Sequence, residues 1–123
     1  MRFLTDRKRA TGKGASHTGT EHHWYMQVSA VGLALLVPTF IIVFGRAIGG
    51  SHEEVLAAFS RPFTAILTAM VLVVGLQHFR RGAQMMIEDY SHGSTRKILI
   101  IAVIALSYTL TATGLFALAK IAL

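Results

Sequence analysis

Three long apolar stretches, separated by short polar segments, take up most of this 123-residue chain. No other feature limits the fold as tightly. In hydrocarbon every backbone N–H and C=O must be satisfied within the protein, so apolar runs of about 20 residues are read as membrane-spanning helices. The first stretch runs from about Met26 to Gly45, the second starts at Phe63, and the third runs from Ile98 to about Leu118. The uniformly apolar part of the second, Phe63 to Leu76, is only about 14 residues. That is too short for a hydrocarbon core about 30 Å thick. The helix is therefore predicted to continue past His78, through Arg80 and Arg81, towards Tyr90. The expected fold is all-α integral membrane, with a polar tail over 1–23 and a three-helix anchor over 24–123. Its spans are placed at about 26–45, 63–88 and 98–118.

Charge supports this reading and orients it. The chain is 53% hydrophobic and carries a formal charge of +6, from 12 basic and 6 acidic residues. The basic residues flank apolar spans, and no aromatic–basic platform interleaves with them, so nucleic acid is not the expected partner. Arg2, Arg7, Lys8, Arg9 and Lys13 lie in the tail, and Arg80, Arg81, Arg96 and Lys97 lie at or before the second connection. Arg46, Arg61 and Lys120 fall on the other side. This asymmetry predicts a cytoplasmic N-terminus and a C-terminus outside. The tail has no apolar core of its own, so it reads as the cytoplasmic tail of a bacterial inner-membrane protein rather than a secretory signal or a transit peptide. Gly12, Gly14 and Gly19 predict that it is irregular.

The connections carry their own signals. Trp24 and Tyr25 suit the headgroup level at the start of the first span, and Pro38 predicts a kink within it. Residues 46–61 form a connection in which Val55 to Phe59 make a short interfacial turn. Pro62 is a good first-turn residue for the second span, and Ser91-His92-Gly93-Ser94 breaks that helix before the third. With three spans and no internal repeat, the chain is expected to be one subunit of a larger assembly.

His78 is the residue that asks for a function. An ionisable or metal-binding side chain at membrane depth is expensive and marks a site by default. On a helix, His78, Gly82, Met85 and Asp89 fall at i, i+4, i+7 and i+11, which is one face. Such a stripe suits a protein interior or a bound cofactor, and imidazole is a common axial ligand to haem iron. Gly82 would let a flat macrocycle approach the backbone. Asp89 lies about 16 Å beyond His78, at the membrane–water boundary, with Tyr90 beside it. The plainer readings are an interhelical hydrogen bond for His78 and a helix-end pair for Asp89 and Tyr90. Arg80 and Arg81 are snorkelling anchors or, Arg81 foremost, partners of a haem propionate. Gln27 and Ser29 could face the same cytoplasmic pocket as Asp89. Met85 and Met86 read as packing, and His17, His22, His23 and His52 as surface histidines. With no cysteine, thiolate metal sites and cysteine nucleophiles are excluded, and no Ser-His-Asp set, P-loop or GxGxxG occurs.

His78, Gly82 and Asp89-Tyr90 together resemble the His-x3-Gly-x6-Asp-Tyr pattern of the smaller hydrophobic membrane anchor of succinate dehydrogenase, respiratory complex II. His23-Trp24, followed by Gln27 and Ala30, resembles that family's opening, and the three-span topology agrees with it. The likeness covers the chain from about residue 20 onward. It implies that His78 is one axial ligand of haem b, the second coming from a partner cytochrome b anchor. It implies that Tyr90 hydrogen-bonds a ubiquinone carbonyl and that Asp89 supports that site or relays protons. It also implies a flavoprotein and an iron–sulfur partner carrying the succinate chemistry, with electrons passing to quinone. One position departs: Val28 stands where the family has an arginine, which points to Arg80 or Arg81 as the replacement propionate partner. The rival readings are the anchor of a related fumarate reductase or other quinone-linked dehydrogenase, and a non-catalytic membrane assembly subunit.

Overall fold

The computed structural model describes residues 3–15 and 19–123, and the described residues form helices joined by short links without a strand. The short helix α1, Asp6–Thr11, lies in the tail and is capped by the Thr5 hydroxyl, which accepts from the Lys8 amide. Three long helices follow: α2, Glu21–Ala47; α4, Pro62–Tyr90; and α5, Gly93–Ala122. Each is apolar and long enough to cross a membrane. At 1.5 Å per residue they measure roughly 40–45 Å, so each overshoots a 30 Å core and carries its ends into the headgroup region.

These boundaries extend the expected spans at both ends. Glu21 to Tyr25 belong to α2, so the tail is less irregular than its glycines suggest. The α4 helix does run on through Arg80 and Arg81 to Tyr90, as the shortness of its apolar part requires. Helix α2 continues through Pro38. The chain breaks only at Ser91 and His92 before α5 begins, and Gly93 has a φ of +62° that an L side chain rarely adopts. The expected interfacial turn is a two-turn helix, α3, His52–Phe59. A capping box starts it: the Ser51 hydroxyl accepts from the Glu54 amide while the Glu54 carboxylate accepts from the Ser51 amide.

Helix α4 is central. It packs against α2 on one side and α5 on the other, whereas no Cα atoms of α2 and α5 come within 8 Å of each other. Helix α3 closes one end, against all three. The α2–α4 seam has a regular antiparallel register. His22 meets Met85, and Ser29 meets His78. A Cβ on Gly82 would touch Met26, and one on Gly75 would touch Leu33. On the other seam, a Cβ on Gly114 of α5 would lie 3.1 Å from Leu72 Cδ1. Glycines let the backbones approach, as is usual between membrane helices. In the most apolar 18 residues of α2, α4 and α5 only 6%, 11% and 6% are buried, so most of the apolar surface is left for lipid or other chains.

Candidate functional site on the central helix

His78 lies about 18 Å from the Tyr90 end of α4 and about 24 Å from the Pro62 end, close to mid-helix. It is half-buried against α2. Its Nδ1 is 2.8 Å from Ser29 Oγ. Ser29 is 6% exposed, and its hydroxyl is also 2.7 Å from the carbonyl oxygen of Tyr25, one turn back. A hydroxyl has a single proton, and a carbonyl can only accept. Ser29 therefore donates to Tyr25 and accepts from Nδ1–H of His78. That assignment places a proton on Nδ1 and leaves Nε2 with no hydrogen-bond partner among the described residues. A neutral imidazole oriented through its other nitrogen is the form that binds a metal ion.

The stripe below His78 also turns towards α2. Gly82 faces Met26, whose Cε would lie 3.7 Å from an added Cβ. The described residues therefore put α2 beside this glycine, at ordinary van der Waals distance from an added Cβ. His22 is not simply a surface histidine, because its Nε2 lies 2.8 Å from Met85 Sδ. His23 and His52 are exposed, and His17 lies outside the described residues. Met86 is exposed as well. Among the described residues no group of three or more His, Cys, Asp or Glu side chains could hold a metal ion.

The two arginines after His78 divide between the flanking helices. The guanidinium carbon of Arg81 is 3.7 Å from the ring centroid of Tyr25 on α2. That of Arg80 is 5.6 Å from the ring centroid of Tyr108 on α5, and its Nε–H donates to Gln77 Oε1 at 3.0 Å. Consecutive helix positions diverge by about 100°, which sends neighbouring side chains to different neighbours. Both cations pack against aromatic faces, an attraction that gains from removal of water.

Asp89 and Tyr90 are exposed at the end of α4, and Tyr90 is its last residue. They are far from His78, so the deep and the boundary residues form two places. Gln27 and Ser29, expected to share a pocket with Asp89, separate. Ser29 points to His78, while Gln27 lines an outward groove with Trp24, Val28, Ala30 and Val31. Sequence reasoning missed Ser29 as the partner of His78 and Tyr25 as the partner of Arg81. The available signal was the run His22, Met26, Ser29 and Leu33, which recurs at helical spacing on one face of α2.

Residues 1–114 match the family model described as succinate dehydrogenase/fumarate reductase transmembrane subunit. The chain is 49% identical to a succinate dehydrogenase hydrophobic membrane anchor subunit of Paracoccus denitrificans, over 100% of its own length and 95% of that protein. It is 29% identical to one of Rickettsia bellii (strain RML369-C), over 82% of each. No solved structure matches. With its three apolar helices and this full-length similarity, the chain belongs to the family of succinate dehydrogenase and fumarate reductase transmembrane subunits.

Proposed function

We propose that this anchor subunit supplies one axial ligand of haem b through His78 Nε2 and, at the other place, part of a ubiquinone site through Tyr90 and Asp89. The observation that carries the reading is the hydrogen-bonded set Tyr25, Ser29 and His78, which holds the imidazole through Nδ1 and leaves Nε2 without a partner among the described residues. The second ligand comes from a partner cytochrome b anchor, seated against apolar surface that the three helices leave exposed. A haem with two imidazole ligands is coordinatively full and supplies electron transfer without oxygen binding. Arg81, or Arg80 beside it, pairs with a propionate in place of the arginine absent at Val28.

At the boundary, the Tyr90 hydroxyl donates to a quinone carbonyl and Asp89 positions the site or passes protons from the aqueous side. Both side chains are exposed in this chain alone, so a headgroup there is enclosed by the other subunits. Those are a flavoprotein that oxidises succinate, an iron–sulfur protein that passes the electrons on, and the second anchor. Charge asymmetry puts the complex in a bacterial inner membrane with the N-terminus of this chain in the cytoplasm.

The test is the dithionite-reduced spectrum of the complex purified through this chain, with and without His78→Ala. The expected result is a b-type α-band that is lost or shifted in the variant. An unchanged band in His78→Ala, or no band in the parent, leaves His78 as an interhelical hydrogen-bonding residue only. For the quinone, Tyr90→Phe is expected to lower quinone reduction by about 100-fold or more, the order seen for loss of a positioned proton donor. Succinate oxidation with an artificial acceptor serves as the control. Full quinone reductase activity in that variant removes Tyr90 from the site.

A further inference from the structure

At the end of the helices away from the N-terminal tail, a cavity of about 730 Å³ opens between the end of α2, helix α3 and the start of α4. Its lining includes Arg46, Glu54, Arg61, Phe63 and Thr64. The single ion pair among the described residues joins Arg9 to Asp6, so neither Arg46 nor Arg61 has a carboxylate partner. Glu54 is in the wall, but its Oε2 accepts from the Ser51 amide at 2.8 Å, so that oxygen already serves the start of α3. Further donors converge there. Helix α4 starts without a side-chain cap, so the amides of its first turn lack that partner. Thr64, 6% exposed, lines the same wall with its hydroxyl-bearing side chain. Two guanidiniums, uncapped amides and a hydroxyl against one engaged carboxylate make a site for an anion with several acceptor oxygens.

A second hollow adjoins this cavity at Phe63. It measures about 260 Å³ and is also walled by Leu35, Leu36, Thr39, Ile66, Leu67 and Met70. This apolar furrow runs between α2 and α4. From Arg46 to Leu35 along α2 is about 16 Å, comparable to the reach of an acyl chain into one leaflet. A cationic basin at headgroup depth joined to an apolar furrow matches a molecule charged at one end and greasy at the other.

We propose that this surface binds an anionic phospholipid, with its phosphodiester between Arg46 and Arg61 and an acyl chain in the furrow past Phe63. The site is independent of the haem and quinone assignments, which lie along α4 towards its opposite end. A free phosphate would use the same donors but not the furrow.

Native mass spectrometry of the detergent-purified complex separates the possibilities, with added phosphatidylglycerol, phosphatidylcholine or inorganic phosphate as the probe. The parent complex is expected to keep phosphatidylglycerol through detergent washing, to keep phosphatidylcholine much less, and not to release the lipid to millimolar phosphate. The double variant Arg46→Gln/Arg61→Gln is expected to lower retention about thirtyfold, as for two interfacial cations, while Arg46→Lys/Arg61→Lys retains most of it. Equal retention of both lipids by the parent overturns the proposal without any variant. Displacement by phosphate reduces the site to a free-anion site and also overturns it, as does unchanged retention in the glutamine variant.

Discussion

Arg81 rests on Tyr25, with its guanidinium carbon 3.7 Å from the ring centroid, and this contact ties α4 to α2 one turn from the Ser29–His78 hydrogen bond. Tyr25 serves both: its ring carries the arginine and its carbonyl accepts the Ser29 proton. The orientation of His78 and the placement of the nearest cation therefore depend on the same turn of α2. If Arg81 pairs with a propionate, Arg81→Ala should shift the haem midpoint potential in a redox titration. Tyr25→Leu should shift it in the same direction by less, because the cation stays but loses a contact of about 0.5–2 kcal/mol. Unchanged potentials in Arg81→Ala and in Arg80→Ala would remove both arginines from that role.

Ser29→Ala removes the acceptor for Nδ1–H and leaves the rest of the seam in place. Loss of such an outer hydrogen bond is expected to weaken the metal site about 10- to 100-fold. The measurement is haem content per complex, with the reduced spectrum and midpoint potential beside it. Ser29→Thr, which keeps the hydroxyl, should restore the parent values. Parent-like haem content and potential in Ser29→Ala would mean that the hydrogen bond joins helices and does not tune a ligand.

Gly82 distinguishes two accounts of the glycine. An added Cβ meets only the end of a flexible Met26 side chain, at 3.7 Å. Gly82→Ala should therefore be neutral, or stabilise α4 by up to about 1 kcal/mol through helix propensity, with an unaltered haem spectrum. Gly82→Leu should push α2 away and lower the melting temperature of the complex. A spectrum perturbed by Gly82→Ala, with unchanged stability, would favour a macrocycle over the glycine after all.

Gly114 tests the other seam. A Cβ there would lie 3.1 Å from Leu72 Cδ1, tight enough that Leu72 must move. Gly114→Val should cost about 1–3 kcal/mol by overpacking. Leu72→Ala in the same chain should recover part of that loss, read as thermal stability of the purified complex. Independent, additive losses would argue against direct contact between these two positions.

The spans were legible because length and apolarity alone decide them, and the run of α4 past His78 follows from the shortness of Phe63 to Leu76. The partners of the site were not. Which residue of α2 meets His78 depends on the register of the seam, and that register is set across a connection that contains its own helix, α3. Ser29 was visible as a small polar residue, but only the pairing of His22 with Met85 and of Met26 with Gly82 fixes it opposite His78. Gly82 illustrates the same limit: a missing side chain marks room for a close approach and does not say what approaches, and within this chain the neighbour is Met26. Helical spacing parts Arg80 from Arg81, but it does not say which helix each one meets.

The central place of α4 makes the chain unevenly tolerant of change. Helices α2 and α5 keep their distance from each other, so a substitution in either reaches the other only through α4 or the short α3. A substitution in α4 is felt by two neighbours that have no way to compensate for each other. The middle helix is thus the one long element through which a shift on the α2 side can be passed to the α5 side.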